Sequence, residues 1–208
     1  TFTTYDAVGI RESLADTIFS ISPEETPFVS NVGRKNVANT LFEWQTDALA
    51  AVDTTNAVVE GADAGSATQV ATKRMQNYTQ ISDKVIQISG TEETVNKAGR
   101  NSELAYQLAK KSSEIKRDLE AILTRNQVAA AGDASTARTT GSLEAWLRTN
   151  TNRASDGGNP TLSGTTSGYP NAAATDGTVR EFTEALLKDV IQETWSSGGD
   201  PSILMVGP

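Results

Sequence analysis

Apolar residues at Ile10, Leu14 and Ile18 recur at helical spacing until Ser22-Pro23-Glu24-Glu25-Thr26-Pro27 ends the pattern, since each proline disfavours helix in the residue before it. This stretch reads as an arm. In residues 40–46 the order Leu41-Phe42-Glu43-Trp44-Gln45 suits a strand, and residues 78–89 suit another, with a change of phase between Val85 and Ile86 that suggests a bulge or burial on both faces. The two are expected to pair antiparallel. Between them, residues 47–72 are rich in Ala, Thr, Asp and Gly, and from Glu43 to Thr72 five acids occur with no Lys or Arg. So long a connection inside a compact domain is normally functional or disordered.

A short helical lead-in over 91–98 is interrupted by Gly99, and a long helix is predicted over 102–128. Leu104, Leu108, Ile115, Leu119 and Ile122 give that helix one narrow apolar stripe. It would run ~40 Å at the standard rise and bury only the stripe within its own chain. The rest of its surface mixes Lys110, Lys111, Lys116, Arg117 and Arg125 with Glu103, Glu114, Asp118 and Glu120, and Gly132 is a fair C-terminal stop. Residues 142–147 suit a short helix. Residues 150–176, dominated by Asn, Thr, Ser, Gly and Pro, read as a loop with little core and a mobile tip. A third helix is predicted from Thr178, where Thr178 and Glu181 fit a capping box and Val179, Phe182, Leu186 and Val190 mark an apolar face. Gly198-Gly199-Asp200-Pro201 then turns into a last strand, Ile203-Leu204-Met205-Val206. Because this strand-helix-strand pattern is cut off, and because the chain starts without Met, a partial or trimmed chain is expected.

Composition narrows the chemistry. With 208 residues, 37% hydrophobic, the chain can bury a core as one domain or two small ones. It has neither Cys nor His, which removes disulfides, thiolate nucleophiles, the commonest general base and the commonest transition-metal ligand. A net charge of −8 repels a phosphate backbone, so nucleic-acid binding across the whole chain is not expected, and only local basic patches are left for it. No apolar run approaches the ~20 residues that span a bilayer, and the first five residues lack the basic and apolar parts of a secretion signal. No membrane partner is expected.

Each apparent motif has a plainer explanation. Ser113-Glu114-Ile115-Lys116 has S-x-x-K spacing, but neither S-D-N nor K-T-G accompanies it. Glu24-Glu25 and Glu92-Glu93 are adjacent pairs that diverge in direction, so they suit turns and helix starts better than acid–base catalysis. The glycines at 157, 158, 164 and 168 precede no G-K-[ST], and Asp47, Asp53, Glu60 and Asp63 lack the spacing of a calcium loop. No cofactor, metal or catalytic site is expected, and the protein reads as a non-enzyme. Trp146 and Trp195 suit core packing at least as well as an interface, while Trp44 suits either.

Several stretches together resemble one family. They are Glu25-Thr26-Pro27-Phe28, Phe42-Glu43-Trp44-Gln45-Thr46-Asp47, Val58-Val59-Glu60-Gly61, Asn77-Tyr78-Thr79-Gln80-Ile81, and Ala98-Gly99-Arg100 leading to Glu103-Leu104-Ala105-Tyr106-Gln107-Leu108-Ala109-Lys110-Lys111 and Glu114-Ile115-Lys116-Arg117-Asp118-Leu119-Glu120. Their order and spacing are similar to major capsid proteins of tailed bacteriophages with the Hong Kong 97-type fold. The resemblance implies an α+β shell subunit with an N-terminal arm (1–36), an extended E-loop hairpin with adjoining strands (37–90), a peripheral domain with a spine helix (91–141) and the incomplete start of an axial domain (142–208). It implies hexamers and pentamers of the chain in an icosahedral head, scaffolding, portal and decoration proteins as further partners, packaged DNA enclosed without specific binding, assembly in the host bacterial cytoplasm and a final place in the virion. A hairpin with ~15 residues per arm reaches up to ~50 Å and needs support from a neighbour. Trp44 is expected as an assembly contact, and Asp47, Asp53, Glu60 and Asp63 of one copy are expected against Lys110, Lys111, Lys116 and Arg117 of the next. An encapsulin-like compartment shell shares the fold and is the alternative, with a carboxylate-dependent hydrolase as a distant third.

Overall fold

The computed structural model describes residues 25–67 and 69–206; the predicted helix around Ile10, Leu14 and Ile18 lies outside them. The chain is α+β, with helices and two small antiparallel sheets. It divides into two compact units, residues 25–32 with 82–121 and residues 33–81 with 122–206.

The first unit is organised by helix capping. Helix α1 (Pro27–Asn31) begins with a proline that suits a first turn, and its free amides are taken by a distant carboxylate. Phe28 N and Val29 N donate to the two oxygens of Glu120 at 2.7 and 2.8 Å. Helix α2 (Gly90–Thr94) is capped by Ser89, whose hydroxyl accepts from Glu92 N at 3.2 Å. Gly99, with φ +77°, then turns the chain into the long helix α3 (Glu103–Thr124). Here Glu93 reaches across and accepts from Ser102 Oγ (2.7 Å), Glu103 N (3.0 Å) and Leu104 N (3.2 Å). A carboxylate at a helix N-terminus both satisfies orphan donors and opposes the helix dipole.

Helix α3 is shorter than the predicted 102–128, and its apolar stripe is not buried. Leu104 and Leu108 are more than half exposed, whereas Glu103, paired with Arg100 and accepting from Gln107 Nε2 at 2.7 Å, is buried. The extended segment 82–88 half-buries Ile86 and Ile88 and leaves Val85 outward, and Lys84 pairs with Asp118 at 2.6 Å.

The second unit carries the hairpin root. Strand β1 (Leu41–Thr46) pairs antiparallel with β2 (Lys73–Tyr78), from Leu41 opposite Tyr78 to Thr46 opposite Lys73. The pairing was expected, but the second strand was placed at 78–89 and shares only Tyr78 with β2. Alternation explains the polar sequence of β2. Phe42, Trp44, Met75 and Asn77 share one face, and Glu43, Arg74 and Gln76 share the other. Glu43 takes contacts from Arg74 and Gln76, whereas Trp44 stacks on Phe42 at 5.9 Å and meets Trp146 at 5.1 Å. The outer edge of β2 is also paired, since Gln76 N donates to Gly168 O and Gly168 N to Arg74 O, both at 2.9 Å.

After Thr124 the alanine run extends rather than continuing the helix to Gly132. Ala129 N donates to Pro170 O at 2.9 Å, and Ala130 and Thr139 exchange bonds of 3.0 and 3.1 Å. Asn126 mimics a strand partner, donating to Ala174 O (2.7 Å) and accepting from Ala174 N (3.1 Å). Gly132, at φ +65°, forms the turn between these paired segments. The short helix α4 (Leu143–Trp146) lies where expected.

Residues 150–176 are not the coreless loop that their composition suggests. Strands β3 (Thr161–Leu162) and β4 (Pro170–Ala172) pair within them, and Pro160, Leu162, Pro170 and Ala174 are buried beside Ala129 and Ala145. Polar side chains complete this core. Asn77, Gln127 and Ser142 are buried, and Gln127 donates to Thr140 O at 2.7 Å and Gln80 Oε1 at 2.9 Å. Helix α5 (Glu184–Ser196) is capped by Thr183, five residues after the predicted cap Thr178. Thr178 cannot serve, because its amide and hydroxyl are bound to Asp156. Val179 and Phe182 are consequently exposed, and residues 203–206 form no strand.

Candidate assembly interface

Every described residue from 47 to 72 is exposed, and the segment contains no helix or strand. Local turns shape it. Asp47 Oδ1 accepts from Ala48 N at 2.9 Å, and Ala62 N donates to Val59 O at 3.1 Å around Gly61, whose φ is +81°. Asp53 closes a turn with the Thr55 hydroxyl (2.7 Å) and amide (2.8 Å). The Thr55 hydroxyl, then its amide, hold the Asp53 carboxyl below its ordinary pKa against the opposing effect of desolvation. Asp47, Asp53, Glu60 and Asp63 are thus solvated acids on one loop.

The loop's apolar side chains were the unrecognised part of this surface. Leu49, Val52, Val58, Val59 and Val70 are 80–98% exposed, so they gain almost nothing from this chain. The sequence contained the signal, because large aliphatics in an otherwise coreless excursion need cover from elsewhere. Trp44, at the loop's base, is 38% exposed with one face against Trp146. It serves packing and surface at once. Trp146 is half-buried, as the core reading has it, whereas Trp195 is 74% exposed.

On α3, Lys110, Lys116 and Arg117 are exposed, while Lys111 is already bound to Glu114 at 2.7 Å. Lys111 holds the Glu114 carboxyl below its ordinary pKa. Glu43 is likewise spoken for, with Arg74 first and Gln76 second holding its carboxyl low. The acid stretch therefore ends in an internal pair, and its free charge is carried by the loop. The structure places the four loop acids in one unit and the four α3 bases in the other, and brings neither set to a ligand. Among the described residues no three acidic side chains gather as a metal site, and no helix is long and apolar enough to cross a membrane. A groove of about 560 Å³ along α3, lined by Val85, Ile88, Glu92, Gln107 and Lys111, is open and mostly polar.

Such a surface has apolar side chains in solvent, solvated charge and no convergent chemistry. A model of the family described as SU10 major capsid protein matches residues 1–208. The chain belongs to that family. A major capsid protein of Escherichia phage Phieco32 is 48% identical over 126 residues, which are 61% of this chain and 36% of that protein. The chain thus matches about a third of the length of this relative. Membership in the SU10 major capsid protein family is the frame in which the exposed loop and the exposed face of α3 are read.

Proposed function

We propose that the chain is the shell-building part of a phage major capsid subunit with the Hong Kong 97-type fold. In this reading residues 1–36 are the arm, 37–90 the E-loop hairpin and its strands, 91–141 the peripheral domain with α3 as spine, and 142–208 the start of the axial domain. The observation that carries it is the loop 47–72, whose large aliphatic side chains lie in solvent in the single chain. Copies join as hexamers and pentamers around enclosed DNA, in the host cytoplasm, with scaffolding, portal and decoration proteins as further partners. The subunit's role is structural rather than enzymatic. The family match favours this reading over a cellular compartment shell or a hydrolase.

In the proposed contact the loop of one subunit lies across α3 of the next. Magnitudes decide what each part does. Fully burying a Val or Leu is worth about 1.5–3 kcal/mol, while an exposed ion pair is worth about 0.2–1 kcal/mol. Apolar loop residues therefore supply affinity. Asp47, Asp53, Glu60 and Asp63 against Lys110, Lys116 and Arg117 set register and encounter rate, with Lys111 contributing only after exchanging partners. In the whole subunit, Val58→Ser with Val59→Ser should abolish assembly at any salt. Lys116→Glu with Arg117→Glu should slow it, most at low salt. Light scattering reads both, and circular dichroism checks the fold. Unchanged assembly by the folded valine variant sinks the contact.

A further inference from the structure

Two Asp-Gly dipeptides, Asp156-Gly157 and Asp176-Gly177, come together in the second unit, and the assembly reading uses neither. Both glycines back onto one atom. A Cβ at either position would overlap the carbonyl oxygen of Arg153, and one at Gly157 would also lie 3.1 Å from Gly177 N. The packing therefore requires glycine after each aspartate. Glycine is also the residue whose unhindered amide nitrogen most readily reaches the preceding side-chain carbonyl carbon.

The two carboxyl groups differ in their surroundings. Asp156 is clamped by Thr178, whose amide lies 3.0 Å from each carboxylate oxygen and whose hydroxyl donates to Oδ2. Asp176 is exposed and has no hydrogen bond or ion pair among the described residues, and the amide of Gly177 donates to none of their acceptors. We propose that Asp176-Gly177 is a site of spontaneous isoaspartate formation in the folded protein, while Thr178 keeps Asp156-Gly157 in its ordinary form.

The step needs no co-reactant but water. The Gly177 amide nitrogen loses its proton to solvent and attacks Cγ of Asp176, forming a C–N bond. A carboxyl oxygen leaves as water, giving a five-membered succinimide. Water then adds to one of the two ring carbonyls. Opening at Cγ restores aspartate, and opening at the main-chain carbonyl routes the chain through the side chain as isoaspartate. The reacting carboxyl is the neutral acid, because an ionised carboxylate is a poor electrophile with a poor leaving group. The Thr178 hydroxyl, then its amide, favour the charged form of Asp156 and hold its pKa below the ordinary value, which disfavours the same reaction there. Isomerisation at Asp176 also adds a methylene to the main chain between the Gly158–Thr175 bridge (3.1 and 2.9 Å) and the Thr178 clamp. Release of the clamp then exposes Asp156 as a second, later site.

Trypsin cleavage after Arg153 and Arg180 leaves both sites on one peptide, in which electron-transfer fragmentation tells them apart. The folded protein is incubated at neutral pH in ¹⁸O-labelled water beside a sample held unfolded in urea. Isoaspartate with incorporated label should accumulate first at Asp176 in the folded sample and at both sites together in the unfolded one. Thr178→Val should bring Asp156 to the pace of Asp176, and Asp176→Glu should remove the early signal. Isoaspartate at Asp156 ahead of or level with Asp176 in the folded natural sequence overturns the proposal, as does its absence from Asp176 while the unfolded sample reacts. That comparison needs no variant to fold.

Discussion

Asn77 is a buried side chain that ties the hairpin root to Gly141, and replacing it with alanine tests that dependence. Asn77 is 7% exposed. Its Nδ2 donates to Gly141 O at 3.0 Å, and its Oδ1 accepts from Gly141 N at 2.8 Å and Tyr78 N at 2.9 Å. Gly141 is itself buried, with Pro170 so close that an added Cβ would sit 2.9 Å from its ring. Asn77→Ala orphans a buried N–H and a buried C=O at Gly141, each costing about 1–3 kcal/mol. Water entering the vacated space recovers part of that, so a loss of about 2–4 kcal/mol is expected. Against a domain stability of about 5–15 kcal/mol this is large.

Tryptophan fluorescence in a urea titration is a suitable readout, since Trp44, Trp146 and Trp195 all belong to the same unit as Asn77. A shift in midpoint at unchanged slope measures the loss. A loss below about 0.5 kcal/mol, the size of an ordinary surface change, would show that Gly141 does not rely on Asn77. Asn77→Asp sharpens the test. It keeps the acceptor toward Gly141 N but sets a second acceptor against Gly141 O, so folding raises the new carboxyl's pKa. A raised folded pKa means that stability is retained below the unfolded value and lost as pH rises through the folded one. This variant should approach the natural protein in acid and fall away toward neutrality.

The parts legible in the sequence were those held by local rules. Strand β1 and helix α4 follow alternation and helical spacing, and the middle of α3 follows the 3.6-residue repeat. Misplaced parts depend on distant partners. Lys73-Arg74-Met75-Gln76-Asn77-Tyr78 is too polar to read as a strand, yet it is paired on both sides, by β1 and by Gly168. Residues 82–88 have the better strand composition and lack a ladder. Thr178 and Glu181 imitate a capping box, but Asp156 takes Thr178 and the cap falls to Thr183. Proline marked 150–176 as loop, although Pro160 and Pro170 are among the most buried residues described. The acids and bases expected at a subunit contact were counted in the sequence as free charge, which holds for only some of them. Glu43 and Lys111 have partners within the chain, and in the proposed contact burial of the exposed valines would outweigh any single charge pair.

Two further predictions concern carboxylates that cap helices. Glu120→Gln should weaken the joint between α1 and α3 by about 1–2 kcal/mol, the scale of a lost cap, and hydrogen exchange should show faster exchange at Phe28 and Val29; unchanged protection of those amides would count against the joint. Glu93→Gln tests a pH dependence. The Ser102 hydroxyl, then the Leu104 and Glu103 amides, and finally the charge of Lys97, hold the Glu93 carboxyl below its ordinary 4.5, against desolvation. A depressed folded pKa contributes stability that is present above the unfolded value and lost as pH falls through the folded one. Glu103 and Glu114 are depressed as well, by Gln107 and Lys111 respectively, so the natural protein should lose stability on acidification through several groups together. Glutamine at position 93 keeps an acceptor for one amide but has no charge to set against the N-terminus of α3. The variant should therefore be less stable than the natural protein at neutral pH, and its stability should fall less steeply below pH 4.5. The two curves then converge in acid. Urea titrations by far-ultraviolet circular dichroism at a series of pH values measure the difference directly. Parallel curves, separated equally at neutral and acidic pH, would mean that Glu93 acts by shape alone and that its charge does not hold the start of the long helix.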